Sequence, residues 1–400
     1  MRTEIRQSPA SPPDRSDHLD FVTGLRGLAA FFVLLSHVWY EIWPAVAPPY
    51  GYGRHPEGAT GLLTGWLYYG HFGVVVFIVL SGFCLMLPVL GNGGSLRGGA
   101  AGFLARRAWR ILPPYYAAMI LALLMIWLWI GARTGTQWDI SIPVTSTGIL
   151  SHLLLLQDVV EPTQINYVFW SIAVEVHLYL LFPALVWAWR RFGAVPTTAA
   201  SCGAVYGVIL LLEALDWREV PPAFVGLCAY FVFGMAAADR FVRMRARGGG
   251  DRLPWSRISL MLALILVVLC AVWGREVAER RFAFLDTLCA LATVGLLLAA
   301  GQPGAGDRVR HALGSVRLVW IGTFSYSLYL THAPILHLVW TAVVGRTLAR
   351  EDAQFLALLL LGAPVSVAGA YLFFLAFERP FLAKAVRPAV VQVIGTANTA

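Results

Sequence analysis

The chain has 400 residues, of which 58% are hydrophobic and only 13% are charged. A mean hydropathy of +0.68 over this length excludes a soluble globular protein and predicts a polytopic membrane protein. The formal net charge is +8. Its distribution along the chain indicates membrane topology, and we expect no nucleic-acid partner.

Apolar stretches long enough to cross a bilayer recur along the chain, since about 20 helical residues span its ~30 Å hydrocarbon layer. We predict an all-α bundle of about ten transmembrane helices. Their ranges are 20–42, 67–90, 111–131, 167–189, 195–214, 223–242, 258–274, 283–301, 318–344 and 354–377. A shorter apolar piece at 148–157 is predicted to be re-entrant or interfacial.

The distribution of basic residues predicts the orientation, because Lys and Arg in short loops mark the cytoplasmic side. With the N-terminus inside, 21 of the 30 basic residues fall in inner segments, 8 in outer loops, and Arg26 lies within the first span. We therefore predict that both termini are cytoplasmic, in a multi-pass protein of the cell (inner or plasma) membrane. The predicted domains are a disordered N-terminal segment at 1–18, a membrane domain at 19–380 and a short tail at 381–400.

The first span contains GLRGLAAFFVLLSHVW at 24–39, which carries Arg26 and His37 in an otherwise apolar helix. Ionisable groups at membrane depth cost a few kcal/mol or more and are functional candidates by default. The two residues are 11 positions apart, which places them on one helix face about 16 Å from each other. Snorkelling of Arg26 and an interhelical hydrogen bond of His37 are the structural alternatives.

Two arginines lead into the third span, in FLARRAWRILPPYY at 103–116. Arg107 and Arg110 are three positions apart and share a helix face, so both guanidinium groups can meet one phosphate-bearing ligand. Arginines that only mark the cytoplasmic side explain the pattern equally well.

In the fourth span Ser171, Glu175 and Tyr179 step by four residues and form one polar face. A carboxylate at that depth must be hydrogen-bonded, paired with a cation or protonated. We expect its partner to be Arg26 or His37.

The stretch GTFSYSLYLTHAPIL at 322–336 places Ser325, Tyr329 and His332 on one helix face. Polar contacts between helices are the alternative explanation. At the end of the last span, FERPF places Glu378 beside Arg379, where we expect an ion pair or the edge of a basic pocket.

Together these stretches resemble the acyltransferase 3 family of integral membrane acyltransferases, in order from about residue 17 to 380. The similar segments are DFVTGLRGLAAFFVLLSH, GVVVFIVLSGF, RRAWRILPPYY, FWSIAVEVHLYLLFP, FSYSLYLTHAPI and FERP. Two positions depart from the family pattern. Val176 stands where many members carry a second acid, and His177 stands where a glutamine or aromatic residue is usual.

The resemblance implies transfer of an acyl group, commonly acetyl from acetyl-CoA, to a hydroxyl of a carbohydrate, cell-envelope glycan or glycosylated natural product. It implies catalytic roles for His37 and Glu175, and binding of the acyl-CoA co-substrate by the arginines. We assign substrate binding to the remaining polar residues of these faces. The full set is His37 and Glu175 (catalytic), Arg26, Arg107 and Arg110 (donor), and Ser171, Tyr179, Tyr329 and His332 (substrate).

The expected mechanism brings coenzyme A in from the cytoplasm, with its thioester beside His37. His37 would act as general base with Glu175 orienting it, or would form an acyl-histidine intermediate.

We expect no tightly bound cofactor and no metal. The expected partners are the lipid bilayer, acyl-CoA and a carbohydrate or glycosylated small-molecule acceptor. A multi-span transporter of a polar or anionic solute is the alternative, and the acceptor, its side of the membrane and the oligomeric state stay open.

Overall fold

The computed structural model describes residues 17–44, 55–215, 222–248, 251 and 253–385. Over these ranges the chain is helical and contains no β-strand. Ten helices are long and apolar enough to cross a membrane, which confirms the predicted polytopic all-α bundle. They are Asp20–Ile42, Gly58–Gly91, Gly99–Ile130, Trp170–Phe192, Ala194–Leu212, Val225–Ala246, Trp255–Arg280, Phe282–Ala300, Ser325–Thr347 and Glu351–Leu382.

Several of these spans contain more than one helical segment, so each segment is labelled separately. In chain order they are α1 (Asp17–Ile42), α2 (Gly58–Thr64), α3 (His71–Gly91), α4 (Gly99–Met125), α5 (Ser146–Leu153), α6 (Trp170–Phe192), α7 (Ala194–Ala214), α8 (Pro222–Ala246), α9 (Trp255–Arg280), α10 (Phe282–Ala300), α11 (Ala305–Leu313), α12 (Val316–Thr323), α13 (Ser325–Val339), α14 (Gly345–Thr347), α15 (Glu351–Ala357), α16 (Ala363–Phe373) and α17 (Arg379–Ala385). Single wider π-turns extend α4 and join α13 to α14, α15 to α16 and α16 to α17.

Two predicted spans differ from the structure. The third was predicted to start at 111, whereas α4 starts at Gly99, so the basic cluster lies inside the helix. The ninth was predicted as one span at 318–344, whereas α12 ends at Thr323 and α13 begins at Ser325. Phe324 between them has φ −119° and ψ 22°, which breaks the helix. The N-terminus of α13 therefore lies inside the bundle.

The short helix α5 corresponds to the predicted re-entrant or interfacial piece. Its eight residues are too few to cross a membrane. Leu150 and Leu153 are about half exposed, while Ser151 and His152 are buried, so one face is apolar and open. Residues 1–16 and 386–400, which hold most of the predicted N-terminal segment and tail, lie outside the described residues.

Glycines bring the central helices into backbone contact. A Cβ on Gly82 of α3 would lie 2.0 Å from the Phe231 carbonyl oxygen of α8. A Cβ on Gly234 of α8 would lie 2.0 Å from the Val79 oxygen of α3. Membrane helices associate through such close packing because lipid offers no hydrophobic driving force between them. This contact fixes the part of α3 that carries Ser81.

Candidate active site

A cavity of about 880 Å³, including its open mouth, lies between α1, α3, α4, α6 and α13. The polar part of its lining consists of three arginines, one glutamate, three serines and three tyrosines. Seven of the nine site residues predicted from sequence belong to this lining, and His37 and His332 do not.

The three arginines are Arg26 from α1 and Arg107 and Arg110 from α4. Electrostatic repulsion acts between Arg110 and the other two. In the described part of the chain the Nε atoms of Arg26 and Arg107 are buried without a hydrogen-bond partner. A buried guanidinium nitrogen without a hydrogen-bond partner is costly, so this arrangement favours an anionic ligand that bonds to several guanidinium groups at once.

Glu175 lies on the same cavity wall but does not make the contact expected from sequence. Its carboxylate accepts a hydrogen bond from the Tyr179 hydroxyl, one turn further along α6. The Ser81 hydroxyl lies 3.4 Å from the same oxygen. Among the described residues it bonds to neither Arg26 nor His37.

Ser171 and Tyr329 form the part of the wall nearest the histidines. The Ser171 hydroxyl donates to the Tyr329 hydroxyl at 2.6 Å, and Tyr329 donates to the Val168 carbonyl at 2.9 Å. The Tyr329 ring centroid lies 6.0 Å from that of His332. This hydrogen-bonded pair therefore stands between the arginine-lined cavity and the histidines.

His37 and His332 form a hydrogen-bonded pair between α1 and α13. His332 Nδ1 lies 2.8 Å from the Leu328 carbonyl oxygen, which can only accept, so Nδ1 carries the hydrogen. Nε2 of neutral His332 is then an acceptor, and His37 Nδ1 donates to it at 2.9 Å. This chain of bonds leaves Nε2 of neutral His37 without a hydrogen. The His37 ring is thus held by His332, a contact that we expected from Glu175.

Sequence analysis missed a second polar pair close to these histidines. His337 of α13 lies with Nδ1 2.6 Å from the Glu41 carboxylate of α1, and both side chains are almost fully buried. One signal in the sequence points to it, because Glu41 follows His37 by four residues on the same face of α1. His337 follows His332 by five residues, which does not place it on the same face of α13.

Other predicted polar residues have local partners outside the cavity. His177, which departs from the family pattern, has Nδ1 2.9 Å from the Asp158 carboxylate. Glu378 accepts from the Ser327 backbone N–H at 3.2 Å and from its hydroxyl at 2.5 Å. Glu378 therefore caps the first turn of α13 beside the cavity. In the ranges that the structure describes, no three His, Cys, Asp or Glu side chains are grouped to hold a metal ion.

Residues 19–375 match the acyltransferase 3 family, whose description is "Acyltransferase domain". Two curated proteins illustrate the likeness. One, from Bacillus subtilis (strain 168), is provisionally named a peptidoglycan O-acetyltransferase, YrhL, and is 24% identical over 344 residues. The other is nodulation protein 10 of Rhizobium leguminosarum bv. viciae, which is 23% identical over 351 residues.

Each alignment covers 80% of this chain. It covers 50% of the Bacillus subtilis protein and 84% of nodulation protein 10, so the chain spans about half the length of the first relative. No solved structure matches the chain.

Proposed function

Because the chain belongs to the acyltransferase 3 family, we propose that it transfers an acyl group, acetyl in the simplest case, from acyl-CoA to a hydroxyl of a carbohydrate-containing acceptor. The match to the family covers residues 19–375. The donor, the acceptor class and the residue roles are what we propose beyond that match. The localisation proposed with it is the cell membrane, with the cavity open to the cytoplasm.

The observation that carries the proposal is the unpaired cationic lining of the cavity. Coenzyme A bears three phosphate groups, and guanidinium groups bind phosphate oxygens through paired hydrogen bonds. Arg26, Arg107 and Arg110 meet on one cavity, and two of them keep buried Nε atoms without partners. Ser325 adds a buried hydroxyl without a partner to the same lining.

The bare Nε2 of His37 supports general-base catalysis. In the proposed reaction it takes the proton from the acceptor hydroxyl as that oxygen attacks the thioester carbonyl. The tetrahedral intermediate expels the coenzyme A thiolate, which receives the proton back from the imidazolium. His332 keeps the Nδ1–H of His37 bonded throughout and so holds the ring in one tautomer and orientation.

Glu175, Ser171, Tyr179 and Tyr329 are proposed to contact the bound donor, since all four line the cavity. The hydrogen bond from Tyr179 leaves Glu175 beside the arginines, where it can accept from a hydroxyl or amide N–H of coenzyme A. This replaces the orienting role that we expected for Glu175.

The acceptor class is proposed from the relatives. The name of the Bacillus subtilis protein refers to peptidoglycan, a polymer with sugar hydroxyls. A cell-envelope glycan or a glycosylated small molecule is therefore the acceptor to test first.

The test supplies labelled acetyl-CoA and a pool of glycans and glycosylated small molecules to membranes with and without the protein. We expect label in an acceptor only when the protein is present. Uptake of an anionic solute into vesicles without any acylated product would support the transporter instead, and absence of both transfer and acetyl-CoA binding would refute the proposal.

A further inference from the structure

We propose that Glu41 and His337 are positioning residues for His37. They form the second of two imidazole contacts between α1 and α13, and this second contact fixes the geometry of the first. The first contact is His37 with His332, and the second is Glu41 with His337. The inference rests on the proposed function, in which His37 is the base.

The two contacts are a little more than one helical turn apart on both helices. Glu41 follows His37 by four residues on α1, and His337 follows His332 by five on α13. The residue numbers rise together, so the two helices run in the same direction where they touch. The nitrogen–nitrogen distance of the first contact is 2.9 Å, and the nitrogen–oxygen distance of the second is 2.6 Å. A rotation or a slide of either helix would lengthen both of these distances.

The second contact is built as a rigid unit. The His337 ring is nearly parallel to the indole rings of Trp138 and Trp340, at centroid distances of 5.6 and 6.0 Å and interplanar angles of 15° and 13°. The Thr341 hydroxyl lies 3.2 Å from Nε2, so both ring nitrogens have partners. The His337 and Glu41 side chains are 0% and 1% exposed. Burial makes loss of either partner costly, which favours one geometry over others.

Aromatic packing connects the second contact to the first. The Trp138 ring lies against His337 and, at 6.2 Å, against Tyr167. The Tyr167 ring in turn lies 5.3 Å from the His37 ring. Displacement of His337 would therefore be transmitted to the base through packed rings as well as through the α1 backbone.

Glu41 and His337 do not line the cavity. A merely structural role would weaken folding and donor binding together, whereas a positioning role affects the chemical step. A misplacement of a catalytic group by about 1 Å can lower a rate about 100-fold. The expected signature is a lower kcat with an unchanged KM for acyl-CoA.

The experiment compares acyl transfer by the purified full chain and by its Glu41→Ala, Glu41→Asp and Glu41→Gln variants. We expect Glu41→Ala to lower kcat about 10- to 100-fold, with the donor KM unchanged. Glu41→Gln keeps an oxygen acceptor for His337 Nδ1–H and should restore most of kcat. Glu41→Asp withdraws the carboxylate by one methylene group and should be intermediate. If the Glu41→Ala variant does not accumulate, the Glu41→Asp variant takes its place in this comparison.

The matched control is Asp286→Ala. Asp286 is a buried carboxylate 2.9 Å from His71 Nε2, in a second carboxylate–imidazole contact between α3 and α10. We expect the kcat of the Asp286→Ala variant to equal that of the wild type. An unchanged kcat in Glu41→Ala, no rescue by Glu41→Gln, or an equal loss in Asp286→Ala would overturn the inference.

A second measurement separates this inference from the proposed function. If the wild type transfers no acyl group, the proposed function fails, and the reactivity of His37 towards diethyl pyrocarbonate still tests the positioning. Mass spectrometry follows modification at His37 alone. The bare Nε2 should react faster in the wild type than in Glu41→Ala, where the His37–His332 contact loses its geometry, or in His332→Ala, where His37 Nδ1–H loses this acceptor. Equal rates would overturn the inference.

Discussion

Arg26 and His37 belong to different parts of one site, although they share a face of α1. Arg26 lines the cavity with two other arginines, whereas His37 is bonded to His332 beyond Tyr329. Ala30 and Val33 between them are buried. In the proposed complex the anionic end of the donor lies at Arg26 and its thioester extends towards His37, which would account for two costly side chains in one membrane helix.

Adjacent arginines on α4 give a direct test of donor binding. Arg107→Gln should weaken acetyl-CoA binding about 10- to 100-fold, because a hydrogen bond to a charged group contributes about 1.5–3 kcal/mol. Arg106→Gln is the control, since Arg106 donates to the Arg97 carbonyl at 2.6 Å and does not line the cavity. Equilibrium binding of labelled acetyl-CoA measures both, and equal affinities of the two variants would count against the donor site.

Helical periodicity was sufficient to predict which residues share a face. Ser171, Glu175 and Tyr179 do line one cavity wall, as their spacing indicates. Periodicity also places Tyr179 one turn from Glu175, and its hydroxyl is the partner that the structure shows. Periodicity does not predict which helices meet, so His332 of α13 could not be predicted as the partner of His37 from one sequence.

The contact between α3 and α8 depends on two glycines. Gly82 of α3 lies against the backbone of α8, and Gly234 of α8 lies against the backbone of α3. Because Gly82 follows Ser81 and lies near Cys84, the same contact positions one wall of the cavity. A side chain at Gly82 would need α3 and α8 to separate, since the nearest atom is a backbone oxygen.

We expect Gly82→Ala to lower stability by about 1–3 kcal/mol, the usual cost of overpacking. Gly207→Ala is the control, because nothing lies within 4 Å of a Cβ at that position of α7. Thermal unfolding in detergent measures the stability of both variants. A melting temperature of Gly82→Ala equal to that of the wild type would show that the close contact is not required.

Hydropathy predicted the ten spans but could not detect the break at Phe324. The flanking Thr323 and Ser325 are uncharged and lie between apolar stretches, so hydropathy averaged over a window shows one continuous span. The break has structural consequences, because it places the first turn of α13 beside the cavity and leaves Ser327 to bond to Glu378. Neither consequence has a signal in the hydropathy pattern.

The distribution of basic residues over the chain predicts that the arginine-lined cavity opens to the cytoplasm, where acyl-CoA is found. Arg26, Arg107 and Arg110 belong to the end of the bundle that carries most of the basic loops. His37 and Glu41 lie near the other end of α1. The charge pattern and the cavity therefore give the same direction for donor binding.

Cysteine labelling tests this orientation. Arg97→Cys and Arg133→Cys would be made in a background whose five free cysteines are replaced by alanine. We expect a membrane-impermeant maleimide to label position 133 in intact cells and position 97 only after permeabilisation. Labelling in the reverse order would place the cavity mouth on the outer side and would contradict cytoplasmic binding of the donor.

Donor binding and acyl transfer by a His37→Ala variant together test whether the arginine cavity and the histidine pair have separate roles. His37 does not line the cavity, so the variant should bind acetyl-CoA with the wild-type Kd. Loss of a general base should lower the transfer rate about 10²- to 10⁴-fold. Unchanged binding with lost transfer is the predicted result, and transfer by His37→Ala at the wild-type rate would contradict the mechanism.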